Sequence, residues 1–299
     1  MNSKYDIKDD ELRVIGKPAA GNAAKPKKLR KAYIWSALAV ACLAAALCVF
    51  LPSGNNAVEM EEEGLFEPVA ETISNAPSIS IKEKFGTIAS PSVPGYTEKI
   101  DTVVNDIPLD IFIPHNAYAE LCLRTPDISD NDIIFCAQAA DIRKDNKKIV
   151  GAFVLKGQPL SWGLSKKGYC AIIDSTITVG VADNSPLFEL ATEKGGYFFR
   201  QYPLIDNGKL VENEPKNKSI RKALCSRNGE IMVVVSNTPE SFHDFAQALA
   251  DLGTDNAIYL VGGEYAKGWY RNSSNEFIDF SKARRDRYKN ENYIIWKRK

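Results

Sequence analysis

Apolar and polar positions divide the chain into stretches of different rhythm. From Ala32 to Leu51 the run AYIWSALAVACLAAALCVFL carries no charge, and at about 1.5 Å per residue it reaches about 30 Å, the thickness of a hydrocarbon core. It predicts a single transmembrane helix. From Pro52 to Asp106 the periodicity lapses into scattered prolines, serines and glutamates, a composition that buries too little apolar surface to offset chain entropy. This stretch, 52–106, reads as a flexible tether, in which Ile79 to Ile81 and Phe85 to Ile88 are candidates for short edge strands.

From Ile107 onward, short apolar runs alternate with turns, which marks 107–299 as the folded domain. Strands are expected at Ile149 to Leu155, Tyr169 to Ile173, Thr176 to Ala182, Tyr197 to Tyr202, Ile231 to Val235, Ala257 to Val261 and Tyr293 to Trp296. Asp174-Ser175, Asn207-Gly208 and Asn228-Gly229 supply tight hairpin turns. Two helices interrupt the strands. Ser185-Pro186 introduces a short one, Leu187 to Thr192. Thr238-Pro239-Glu240 opens a longer one, with Phe242, Phe245, Ala246, Leu249 and Leu252 at helical spacing and Gly253 at its end. The expected class is α+β: a mixed β-sheet domain with a few packed helices, preceded by one N-terminal transmembrane helix.

Charge fixes the orientation. The 38 basic and 38 acidic side chains cancel overall, but residues 1–31 hold nine basic against four acidic, and 52–106 three against ten. Lys25, Lys27, Lys28, Arg30 and Lys31 precede the apolar run and Glu59, Glu61, Glu62 and Glu63 follow it. The positive-inside rule then leaves 1–31 as a cytoplasmic basic segment and everything after Leu51 outside the cytoplasm, in the periplasm if the cell has one. The lipid bilayer is thus an expected partner through residues 32–51, and nucleic acid is not.

Little of the standard catalytic repertoire is present. There is no Walker loop and no His-Glu-x-x-His pair, and neither His115 nor His243 lies near a nucleophile elbow. Cys122, Cys136, Cys170 and Cys225 occupy apolar strand-like settings, which leaves open buried thiols or at least one disulfide; without Cys-x-x-Cys spacing no structural zinc is expected. Nothing calls for a metal or a cofactor. Carboxylates remain as candidate chemistry: Asp141 and Glu264 each follow an apolar run, where a side chain can project from a scaffold. The basic end, Lys282 to Lys299, reads either as a solvated segment or as an attractor of anionic glycans or lipid head groups.

From Arg221 to Gly263 the order is an arginine opening a strand, a hairpin, a valine-rich strand, an amphipathic helix ending in Leu252-Gly253, and the apolar strand Ala257 to Val261 before Gly262-Gly263. Phe135 to Ala140, Gly151 to Gly157 and Arg200 to Gly208 add further matching segments. This arrangement resembles the phosphodiester glycosidase family over about Ile133 to Arg271. The resemblance implies a sugar phosphodiester or other anionic glycan as substrate, with Arg221 on the phosphate and Gly262 and Gly263 allowing close approach. Arg200 and Gln138 are further substrate-binding candidates, and Asp141 and Glu264 the catalytic ones. Val261 stands where the family carries the aspartate of Asp-Gly-Gly. The expected function is therefore a membrane-anchored, extracytoplasmic phosphodiester-glycosidase-like protein; the alternative is a non-catalytic glycan-binding or envelope scaffold module of the same fold.

Overall fold

A computed structural model of the chain describes residues 84–282 and 288–299. The expected cytoplasmic segment, the apolar helix 32–51, Ile79 to Ile81 and the arginines at 284, 285 and 287 lie outside the described residues. Among those described, no helix is long and apolar enough to cross a membrane.

In chain order the elements are β1 (Tyr96–Val104), β2 (Ile107–His115), β3 (Ala117–Leu123), β4 (Ile133–Gln138), β5 (Ala152–Leu155), β6 (Gln158–Trp162), β7 (Gly168–Ile173), β8 (Thr176–Val181), α1 (Leu187–Glu193), β9 (Tyr197–Gln201), β10 (Pro203–Asp206), β11 (Lys209–Leu210), β12 (Lys222–Arg227), β13 (Glu230–Ser236), α2 (Phe242–Asp251), β14 (Asn256–Leu260), β15 (Gly268–Arg271), β16 (Phe277–Asp279) and β17 (Asn292–Arg298). They form a seven-stranded sheet, β1-β2-β13-β12-β14-β10-β11, and two five-stranded ones, β16-β15-β4-β17-β3 and β6-β5-β9-β7-β8. The α+β class holds. The strand pairs are antiparallel throughout, so the sheets are not mixed in direction.

Alternation along the strands assigns the layers. In β12, Leu224 faces a core shared by all three sheets, where it joins Phe112, Phe135, Phe153, Phe199, Ile294 and Trp296. Ala223 and Cys225 point the other way, onto Phe245, Ala246 and Leu249 of α2. Because both faces of the central strands are covered, β13 reads as the unbroken apolar run IMVVV. Helix α1 closes the outer face of the third sheet over Val154, Ala171 and Phe198.

Three expectations are corrected. The tether does not extend to Asp106: β1 pairs with β2 over nine residues, through an Asn105-Asp106 turn with positive φ at both positions. Its alternating exposure is that of an edge strand with one wet face, and such a strand is polar enough to resemble a tether. Phe85 to Ile88 forms no strand; instead the Glu230 carboxylate accepts from the Phe85 and Gly86 amides at 3.0 and 3.2 Å. Helix α2 begins at Phe242 rather than Thr238, with Ser241 Oγ accepting from the Asp244 amide at 3.0 Å, while Glu240 makes a bridge with Ser219. Among the described residues, Cys122, Cys136, Cys170 and Cys225 form no disulfide with one another, and the last three are buried.

Candidate functional site

Asp141, Arg200, Arg221 and Gly262 are joined to the passage from β9 to β10 or to the aromatic side chains beside it, while Gln138 is tied in through its backbone amide and Glu264 is turned away. Gln201 ends β9 and Tyr202 begins the passage into β10; the Tyr202 carbonyl accepts from the Tyr259 amide at 2.8 Å. Tyr202, Phe242 and Tyr259 form an aromatic triad with centroid separations of 5.5 and 4.9 Å. Two cations flank it. The Lys166 ammonium lies 4.0 Å from the Tyr202 ring centroid, and the Arg221 guanidinium 4.0 Å from that of Phe242.

Asp141 belongs to the first side. Its carboxylate pairs with the Lys166 ammonium, which also donates to Gln201 Oε1 at 3.1 Å. The side chains are 18% and 7% exposed, so the pair is largely withdrawn from water. Gln201 in turn donates to the Ala139 carbonyl at 3.3 Å, tying the pair to the loop that follows β4. Lys166 holds φ at +80°, a left-handed conformation that costs a non-glycine residue of order 1 kcal/mol. Arg200 secures it there: one guanidinium nitrogen donates to the carbonyls of Lys166 and Ala182 at 2.8 and 3.0 Å, and the other to Asp183 at 3.0 Å. Arg200 is 2% exposed, and burial holds its pKa below the usual arginine range.

Arg221 and the paired glycines make the second side. Arg221 Nε donates to the Glu240 carbonyl at 2.9 Å and Nη2 to that of Asn217, so the guanidinium joins two loops beneath the aromatic triad. The Gly262 amide donates to Tyr259 Oη at 2.9 Å and the Gly263 amide to the Ile220 carbonyl at 2.7 Å. The close approach that Gly262 permits is therefore to the residue before Arg221: a Cβ on Gly262 would run into the Ile220 carbonyl oxygen, whereas at Gly263, with a φ of +87°, it would meet only ordinary contact. Beyond them the loop reaches Lys267, whose carbonyl accepts from the Gln138 amide and from Lys222 Nζ, both at 3.3 Å. Lys222 is buried, and desolvation pushes its pKa down to about 8. Glu264 is the exception: its carboxylate is half exposed and pairs with Lys282 at 2.9 Å on the surface. No group of three or more His, Cys, Asp or Glu side chains among the described residues is placed to hold a metal ion.

A profile of the phosphodiester glycosidase family matches residues 139–292, about half of the chain. The chain belongs to the phosphodiester glycosidase family. Two solved structures share the fold. One is the zebrafish N-acetylglucosamine-1-phosphodiester alpha-N-acetylglucosaminidase catalytic domain auto-inhibited by its pro-peptide, 11% identical, TM-score 0.51, over 71% of this chain and 85% of that one. The other is a hypothetical protein from Synechocystis, 14% identical, TM-score 0.50, over 69% of this chain and 62% of that one. No curated protein matches it in sequence.

Within this phosphodiester glycosidase domain, sequence reasoning missed Lys166, Gln201 and Tyr202. A lysine in Ser165-Lys166-Lys167-Gly168 carries no local signal that separates it from a solvated surface lysine. Its burial follows from the left-handed turn and the Arg200 bonds, which only the tertiary structure creates.

Proposed function

We propose that the domain recognises a sugar joined through a phosphodiester and hydrolyses the bond between the anomeric carbon and the phosphate, with Asp141 as the reacting carboxylate. The observation that carries this reading is the Asp141–Lys166 pair. Of the two carboxylates singled out in the sequence, Asp141 alone is sheltered and held by a buried cation, on a strained backbone. Family membership supplies the class of bond.

One carboxylate is enough for this chemistry. A glycosidase normally needs an acid because its leaving group departs as an alkoxide that must be protonated. A phosphate monoester, whose second pKa is about 6, departs as a stable anion. Asp141 takes a proton from water as the water oxygen bonds to the anomeric carbon. The electron pair of the breaking C–O bond leaves with the phosphate, whose added negative charge develops near the Lys166 ammonium. Val261 then removes a second carboxylate without closing this route. Arg200 acts as a positioning residue for Lys166, and Arg221, Gly262, Gly263 and Gln138 shape the rest of the binding end.

A second reading, binding without turnover, is favoured by Val261 together with the outward placement of Glu264. Incubation with an alkyl sugar phosphodiester separates the two. Release of phosphate monoester by the wild type, reduced about 10³-fold or more by Asp141→Asn with binding retained, supports hydrolysis. Saturable binding with no release supports the second reading, and no binding sinks both.

The same proposal places the domain outside the cytoplasm, held to the membrane by residues 32–51. The charge step from Lys25–Lys31 to Glu59–Glu63 supports it. In sealed cells or spheroplasts, protease added from outside is expected to degrade residues 107–299; protection there would reverse the orientation.

A further inference from the structure

The loop that follows Asp141 is strongly basic, and the fold joins it to residues 288–290, far away in sequence. Ile142 and Ile149 form a bridge, so residues 143–148 project as a hairpin directly from the candidate site. This tip holds Arg143, Lys144, Lys147 and Lys148 against one acid, Asp145, which Arg143 grips at 2.9 and 2.7 Å. Residues 288–290 pack against it: the Lys147 ammonium lies 4.5 Å from the Tyr288 ring centroid, and Asn290 Nδ2 donates to the Lys147 carbonyl at 2.8 Å. Lys289 is thereby added to the same surface, exposed like Lys148. The neighbouring acid, Glu291, is 6% exposed, and its carboxylate accepts from Tyr293 Oη and the Tyr288 amide, so it offers little countercharge at the surface.

We infer that the 143–148 hairpin and residues 288–290 form one basic surface that holds an anionic glycan polymer, whose successive phosphodiesters lie on it while one of them reaches Asp141. The inference rests on the sugar-phosphodiester reading of that site and extends it from a single unit to a polymer. A lone phosphodiester carries one charge and, seated near Lys166, leaves the hairpin tip without a function. A strand of them matches a row of lysines and releases counterions as it binds. The continuity of the hairpin stem with Asp141 favours a glycan that enters the site over a nucleic acid or a lipid surface that would merely cover it.

The test uses the full chain in detergent, titrated with glycerol phosphodiester as a single unit and as a long oligomer, each at several salt concentrations. The wild type is expected to bind the oligomer at least tenfold more tightly than the unit, with a steep loss as salt rises. Lys148→Glu/Lys289→Glu, at exposed positions outside the Asp141–Lys166–Gln201 cluster, should remove that advantage and flatten the salt dependence. Its thermal melt and its turnover of a single sugar phosphodiester should stay unchanged. Equal affinity for unit and oligomer, or an oligomer affinity indifferent to the charge reversal, overturns the inference. So does binding of single-stranded DNA or of anionic phospholipid vesicles as tight as that of the oligomer. Failure of the wild type to cleave any sugar phosphodiester would count against hydrolysis alone, because the oligomer titration reads the surface independently.

Discussion

Lys222 is a fully buried lysine whose ammonium donates to the carbonyls of Ala266 and Lys267 at 2.9 and 3.3 Å. Burial lowers its pKa from 10.5 to about 8, so between those values the unfolded chain binds the proton and the folded one does not. Stability contributed by this group therefore rises as pH increases from about 8 to 10.5, by up to roughly 3 kcal/mol. The buried Cys170 and Cys225 thiols, whose pKa burial pushes up, oppose it above about pH 9, so the contribution of Lys222 is read as the difference in urea-unfolding free energy between wild type and Lys222→Met, which should shift in favour of the wild type as pH rises from about 8 to 10.5. At the Asp141–Lys166 pair the expectation is different. Lys166→Met strands a sheltered carboxylate and should cost about 2 kcal/mol, part of which Asp141→Asn/Lys166→Met recovers in the same unfolding assay. Asp141 was legible in the sequence by its place after an apolar run. Its partner was not, because burial of a lysine is set by what folds over it and not by its neighbours in the chain.

The apolar spacing of α2 was plain in the sequence, but its start was not. Thr238-Pro239-Glu240 has the composition of a helix opening, yet Glu240 exchanges two backbone hydrogen bonds with Ser219, and a long-range bridge outweighs a local propensity. Ser241→Ala is accordingly expected to cost about 1 kcal/mol and Thr238→Ala much less, measurable as a difference in urea midpoint. Gly262 makes a sharper case. Sequence pattern marked it as a place where something approaches closely, and the structure identifies the approaching groups as the Ile220 carbonyl and Tyr259 Oη. Gly262→Ala should lower stability by more than about 2 kcal/mol even with no ligand present. Gly208→Ala, in an open turn at φ +75°, should cost only about 1 kcal/mol. A Gly262→Ala variant with unchanged stability would return these glycines to a purely ligand-facing role.

For the molecule as a whole, the boundary of the folded part matters most. The Pro-rich and acidic composition suggested a domain beginning at Ile107, but β1 contributes a full edge strand, and Thr97 donates to the Ile134 carbonyl at 2.9 Å in the interior. A chain beginning at Lys84 should melt cooperatively; one beginning at Ile107 bares the β2 edge and should aggregate, which calorimetry and gel filtration would distinguish. The sequence by itself determined the hairpin turns at 174–175, 207–208 and 228–229, the amphipathic face of α2, and the family. These depend on periodicity and positive-φ chemistry, which are local. Only the tertiary structure decided that Arg200 and Arg221 give their donors to backbone carbonyls, that Glu264 turns to Lys282, that Lys166 reaches Asp141, and that Lys289 is brought beside the lysines of the 143–148 hairpin. The physical reason is common to all four: a charged side chain is directed by the acceptors and the burial it meets, and those come from strands and loops far away along the chain.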